Sequence, residues 1–333
     1  MQPRLAHLDP ALRARVVSRR PLRYRAGTDA ALDRPAHLRA GSSLSWVGNR
    51  LALVQDDANF VALVDPETGL ADSITLPAGT DGLRQFDDSR GNKQFKLDLE
   101  ACCVVAGAGG PRLIAFGSGS TTRRRRVVMI DAFHESVPRV SLIEADSWYL
   151  ALESTTDFAG SDMNIEGAVA LPHALRLFSR GNGAPRGGRV PVNATCDLSL
   201  PDLVAYFAAP GKAPAPAPTA ISQYELGRVD GLPLGFTDAA LWGDAVLYTA
   251  VAEDSPSASE DGPVRGSVLG LLPAAGDLRY APLSGAGDEA LRDKIEGVVA
   301  APDSSNRVFV VIDSDDSTRP SELCDVRLDG PWR

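Results

Sequence analysis

A short pattern recurs along this chain: an acid, then a small residue, then an apolar run. It occurs in LDLEACCVVA from Leu97, MNIEGAVAL from Met163 and DKIEGVVAA from Asp293. The acids are Glu100, Glu166 and Glu296, followed by Ala101, Gly167 and Gly297. GFTDAALW from Gly235 aligns Asp238 and Ala239 with the pattern, and SSLSWVGNRLALV from Ser42 is a degenerate copy with Ser45 in the acid's place. The five positions lie 55, 66, 72 and 58 residues apart. One unit repeated along a chain restricts the fold to architectures in which each copy buries its apolar face against the next.

After each copy come a turn and a second apolar run with a polar end: LALVQDDAN, LIAFGSGST, LRLFSRGNG, VLYTAVAEDS and VFVVIDSDDS. Most units add a third run, such as FVALVD from Phe60 or RVVMID from Arg126. Helical periodicity is scarce, and Gly, Pro, Asp, Asn and Ser clusters separate the runs, which indicates strands. The expected fold is all-β, a β-propeller of five blades, with six as the alternative. A sixth blade would need the stretch WYLALEST, which reads as a short helix or connector. The last unit has only three strands of its own, so the N-terminal segment VVSRRPLRYRA is expected to complete it and remove an open sheet edge. Residues 1–20 read as an extension and 21–333 as one propeller domain.

Charge narrows the function classes. Of 333 residues, 43 are acidic and 34 basic, and the formal charge of −9 argues against general nucleic-acid binding. No apolar run reaches the roughly 18 residues of a membrane helix. The opening MQPRLAHLDPALRARVVSRR lacks the apolar block of a secretory signal, so a cytoplasmic location is expected. Cys102, Cys103, Cys196 and Cys324 form no CxxC pair and read as buried, reduced thiols rather than zinc ligands.

Blade geometry gathers the polar ends. In such a unit the first strand starts, and the second ends, at the same mouth of the central channel. That mouth would carry Glu100, Glu166, Asp238 and Glu296, together with Asp56, Asp57, Ser118, Arg180, Asn182, Glu253, Asp313 and Asp315. Asp98, Asn164 and Lys294 stand two residues before an acid and share its face. Carboxylates converging on one axis raise one another's pKa or recruit a cation. Lys96, Lys294, Arg180 or a bound Ca²⁺, with Mg²⁺ as the alternative, would compensate them, since hard cations take oxygen ligands.

A purely structural reading stands beside this one, in which the acids satisfy backbone groups of the next blade and the small residues let crowded inner strands approach. GSGST followed by TRRRR, Gly117 to Arg126, has the backbone and guanidinium donors for an anion, or is a hairpin entering a strand with solvated arginines. DSDDS from Asp313 lacks the glycine and closing Glu of an EF-hand. The four histidines sit in unrelated contexts, which speaks against a histidine-driven triad. Trp46 and Trp242 read as core, and the acidic loop AEDSPSASEDGP as a solvated connector.

The segments KLDLEACCVV, FGSGSTTRRRR, MNIEGAVAL with LFSRGNG, and KIEGVVAAPD resemble an uncharacterised bacterial β-propeller family, distantly similar to the esterase-like domain of phytase-like proteins. The resemblance spans roughly residues 40 to 330 and implies a propeller with hydrolytic activity. It carries over no catalytic residues.

The expected function is a metal-supported hydrolase of an ester or phosphoester, acting on a small anionic substrate. Glu100, Glu166, Asp238 and Glu296 would hold the cation, with Glu166 and Glu296 also catalytic. Ser118, Arg180, Asn182, Lys294 and Asp313 would contact substrate. The alternatives are a non-catalytic propeller binding a small anion or protein, and a glycoside hydrolase using paired carboxylates.

Overall fold

Runs rich in Val, Leu, Ile and Ala, interrupted by Gly and Asp turns, form strands over most of the chain. The structure, a computed structural model, describes residues 1–333 except 108, 213, 255–261 and 288. Most of the acidic loop AEDSPSASEDGP lies outside the described residues.

Three strands come first: β1 (Arg4–Leu8), β2 (Arg13–Pro21) and β3 (Arg23–Tyr24). Five antiparallel groups follow among the described residues. The first holds β4 (Gly41–Val47), β5 (Arg50–Gln55), β6 (Phe60–Val64) and β7 (Leu70–Thr75). The second holds β8 (Leu99–Gly107), β9 (Gly110–Gly117), β10 (Arg126–Asp131) and β11 (Arg139–Glu144). Helices α1 (Asp146–Ser154) and α2 (Thr156–Ala159) lead to the third group. It comprises β12 (Ile165–Ala170), β13 (Ala174–Ser179), β14 (Asn193–Ser199) and, after α3 (Leu200–Ala208), β15 (Thr219–Glu225). The short β16 (Arg228–Val229) precedes the fourth group of β17 (Leu232–Trp242), β18 (Ala245–Glu253), β19 (Val264–Leu272) and β20 (Leu278–Ser284). The fifth has β21 (Lys294–Ala300), β22 (Arg307–Asp313) and β23 (Glu322–Asp329). Its fourth strand is β2, antiparallel to β23 with Ala14 opposite Leu328, as the N-terminal closure predicts.

Two details differ from the expectation. Residues 1–20 are not an appendage: β1 runs parallel to both β15 and β20, and β2 supplies most of a sheet edge. Pairing satisfies backbone groups that would otherwise line open edges. WYLALEST forms α1, which buries Trp148, Tyr149 and Leu152, so it adds no sixth group.

The apolar core is divided among five clusters, each between neighbouring groups. They join first to second, second to third, third to fourth, fourth to fifth, and fifth back to first. The leading strands pack in the same order, β4 on β8, β8 on β12, β12 on β17, β17 on β21 and β21 on β4. Small residues allow this approach. A Cβ on Gly167 would stand 3.2 Å from the Ala239 nitrogen, and one on Gly297 would stand 3.2 Å from the Ser42 carbonyl oxygen and 2.8 Å from Val311 Cγ1. The glycine of the recurring pattern is thus explained by packing. Among the described residues, no helix is long and apolar enough to cross a membrane.

Candidate functional site

Each leading strand carries an extra residue near its start, where the pairing register slips. The slips fall at Ser42, Glu100, Glu166, Thr237 and Glu296. A bulge re-aims the inserted side chain. Three glutamates therefore occupy equivalent places on β8, β12 and β21, and line one cavity of about 40 Å³. The other lining residues include Ser42, Asp56, Lys96, Asp98, Arg124, Asn164, Arg180, Asn182, Glu253, Lys294 and Asp313.

Asp238 is a correction. The bulge of β17 is at Thr237, so Asp238 sits one residue out of step and on the opposite strand face. It does not line the cavity. Fully buried, it accepts hydrogen bonds from Ser43 Oγ at 3.1 Å and the Val298 nitrogen at 2.9 Å, tying β17 to β4 and β21. Thr237 Oγ1 donates to the Ile295 carbonyl oxygen at 2.7 Å, another structural bond. Ser45 likewise is not the first group's equivalent; Ser42 is. Asp238→Ala is expected to cost about 3 kcal/mol in a denaturant melt by orphaning buried donors, and Asp238→Asn distinctly less because one acceptor oxygen survives.

The cavity's cations are all engaged. Lys96 Nζ lies 2.5 Å from Asp56 Oδ1 and 2.7 Å from Asp98 Oδ1. Asp98, at φ 58°, also pairs with Arg124 at 3.0 Å and accepts a hydrogen bond from Ser118 Oγ. Arg180 spans Glu166 at 3.4 Å and Glu253 at 2.6 Å. Lys294 Nζ stands 3.1 Å from both Glu296 and Asp315. Asn164 Nδ2 donates to Glu166 at 2.6 Å. Glu100 makes no hydrogen bond or ion pair among the described residues, and the buried Glu296 Oε2 has no hydrogen-bond partner.

Seven carboxyls face four cations here, and burial raises five of them, Asp56, Glu100, Glu166, Glu296 and Asp313. Burial pushes Glu166 up to about 8, against the pull of Arg180 and with the help of Glu296. Burial raises Glu296 to about 7 despite Lys294 and Arg180, and Asp56 to about 7 despite Lys96. Glu100 is raised well above the usual carboxylate range by burial, then by Asp56, Asp98 and Glu166. Asp98 is the exception: burial opposes its ionisation, but Lys96 and Arg124 outweigh it and hold the group at about 2.

Of the expected site residues, the fold gathers Glu100, Glu166, Glu296, Arg180, Asn182, Lys294 and Asp313 around the cavity. Ser118 is fully buried behind it, its hydroxyl committed to Asp98. Arg124 was hidden within TRRRR; its signal is position, since the neighbouring Arg123 stacks on Phe95 and Arg125 pairs with Glu153. Asp56, Asp98 and Glu100 can each bring one oxygen within 4.8 Å of the others, the donor set of a hard cation. Trp46 and Trp242 are not platforms: their indole nitrogens donate to the carbonyls of Ala300 and Trp332.

A family model matches residues 37–328. The chain belongs to this family of unknown function, DUF6929. No curated protein matches the sequence. Similar solved structures include Myxococcus xanthus glutaminyl cyclase, at 10% identity and TM-score 0.46, covering 99% of this chain and 100% of that one. The α-L-arabinofuranosidase PaAbf62A of Podospora anserina is similar at 12% identity and TM-score 0.43, covering 98% and 99%. The Cps50 (Swd1) β-propeller domain of Myceliophteria thermophila follows at 9% identity and TM-score 0.35, covering 86% and 96%.

Proposed function

We propose that the five groups close into a five-bladed propeller whose polar mouth is the active centre of a hydrolase acting on a small ester or phosphoester. The observation that carries this reading is the bulge-aligned trio Glu100, Glu166 and Glu296 around one small cavity, with Glu166 and Glu296 raised to about 8 and about 7. A buried carboxyl near neutrality can give a proton to a leaving oxygen, and its partner can take one from water. Asn164 and Arg180 orient Glu166, and Lys294 orients Glu296. The motif resemblance to esterase-like propellers points the same way.

Asp56, Asp98 and Glu100 fit a divalent cation, Ca²⁺ before Mg²⁺, because all three are oxygen donors. Such an ion would polarise an ester oxygen and acidify a bound water. Lys96 already touches two of these carboxylates, so the ion must displace its ammonium. The expected ligands therefore move from Glu166, Asp238 and Glu296 to Asp56 and Asp98, with Glu100 retained. The non-catalytic binding reading is favoured by one fact: both candidate catalytic glutamates are already held by cations.

The test combines elemental analysis of the purified protein with turnover of an ester and phosphoester panel. Glu166→Gln and Glu296→Gln are each expected to lower turnover by about 10²–10³-fold, with folding intact. Unchanged turnover in both variants refutes the acid–base assignment. A protein that carries no divalent ion and whose melt ignores chelator refutes the cation site.

A further inference from the structure

The cavity adjoins a wider pocket of about 170 Å³, and the two share Asp56, Lys96 and Asp313. Together they are lined by twelve carboxyl groups and six cationic side chains. By formal count the acids outnumber the cations by six at this one mouth. Each of the six cations is already matched. In the wider pocket Arg39 pairs with Asp57 and Asp87, and Lys93 with Asp88. The four cations of the inner cavity are paired as described above. An incoming anion would have to break one of these pairs, while the surrounding field repels it.

The unanswered groups have the opposite character. Glu296 is 5% exposed, and its Oε2 is buried without a hydrogen-bond partner on the cavity wall. Glu100 also lines the cavity and holds no hydrogen bond or ion pair among the described residues. Buried acceptors without donors are costly, and a ligand bringing N–H groups or positive charge relieves them. The unanswered donor nearby, Arg180 Nε, lies over Gly235, 3.2 Å from where a Cβ would stand. The inner cavity holds about three waters, enough for one ammonium head, and the outer pocket has room for a short aliphatic remainder.

We infer that the guest of this mouth is an organic cation, its primary ammonium group seated against Glu100 and Glu296 and its remainder in the outer acidic pocket. This names the substrate class of the proposed active centre, rests on the reading of that mouth as a binding site, and replaces the anionic substrate expected from sequence.

Calorimetry with putrescine and methylammonium tests it, with phosphate and acetate as comparators at matched ionic strength in sodium chloride. Putrescine is expected to bind and to raise the melting temperature by several degrees, with the anions inert. Glu296→Gln and Glu100→Gln are each expected to weaken putrescine at least tenfold. The second alters a group with no hydrogen bond or ion pair among the described residues, and an unchanged melting temperature of the ligand-free variant excludes a folding defect. Phosphate or acetate binding as well as the amines overturns the inference, as does stabilisation by calcium alone. Amine binding with no turnover of any ester sinks the hydrolase and leaves this inference standing. Turnover of neutral and anionic esters without preference for amine-bearing ones does the reverse.

Discussion

Arg180→Met is expected to lower stability by about 3–5 kcal/mol, read from urea denaturation at pH 8.5. Arg180 is 4% exposed and bridges Glu166 on β12 to Glu253 at the end of β18. Its side chain crosses Gly235, where a Cβ would come within 2.9 Å of its Cγ. Methionine keeps much of the stem's volume but leaves two buried carboxyls with no guanidinium between them. Arg180→Lys is expected to recover only part of the loss, because a single ammonium cannot reproduce the two-armed geometry. Adding Glu253→Gln to Arg180→Met should restore more, since it removes one stranded charge. At pH 6 the penalty of Arg180→Met should shrink, as Glu166 takes up a proton instead. A variant as stable as the parent at pH 8.5 would show that the bridge contributes nothing.

The second large effect is on pH. Glu166 and Glu296 are raised in the folded protein to about 8 and about 7, against about 4.3 for an unperturbed Glu. The folded state therefore holds protons that the unfolded state has released. Between about pH 4.3 and 8, stability falls as pH rises, because fewer protons are bound on unfolding. Asp98, held at about 2, acts oppositely, but its contribution is already complete above pH 4. The melting temperature is expected to fall by about 5 °C from pH 5.5 to 8.5, and Glu166→Gln should flatten the slope. The ester turnover proposed above should peak between about pH 7 and 8, where the pair holds one proton, with apparent values belonging to the pair rather than to either residue. A flat melt across this range, with the parent and Glu166→Gln superimposable, would contradict the raised carboxyls.

The repeat made the architecture legible. Glu-Gly marks the start of β12 and β21 because Glu is the bulge residue and Gly lets the next leading strand approach. The same pattern misplaced the fourth acid. Asp238 precedes Ala239 much as Glu166 precedes Gly167, yet the bulge of β17 is one residue earlier. A one-residue slip reverses the face, and nothing in GFTDAALW reports it. Lys96 and Asp98 were visible as neighbours of Glu100, but not that Lys96 lies between Asp56 and Asp98, a contact across two groups. Arg124 was indistinguishable from its neighbours in TRRRR, because only the preceding turn at Thr122–Arg124 directs it inward. The pairing of β1 with β15 and β20 joins segments more than 200 residues apart, beyond any local pattern.

The join between β2 and β23 has a kinetic corollary. It brings Arg13–Pro21 beside Glu322–Asp329, so the longest-range strand pairing among the described residues is the one that completes its last sheet. Loop entropy must be surrendered before such contacts reward it, which slows formation. During synthesis the early strand waits for a mate made about 300 residues later, its edge open to strangers meanwhile. A circular permutant carrying Arg13–Pro21 after Asp329 through a short turn would make that distant seam a local hairpin.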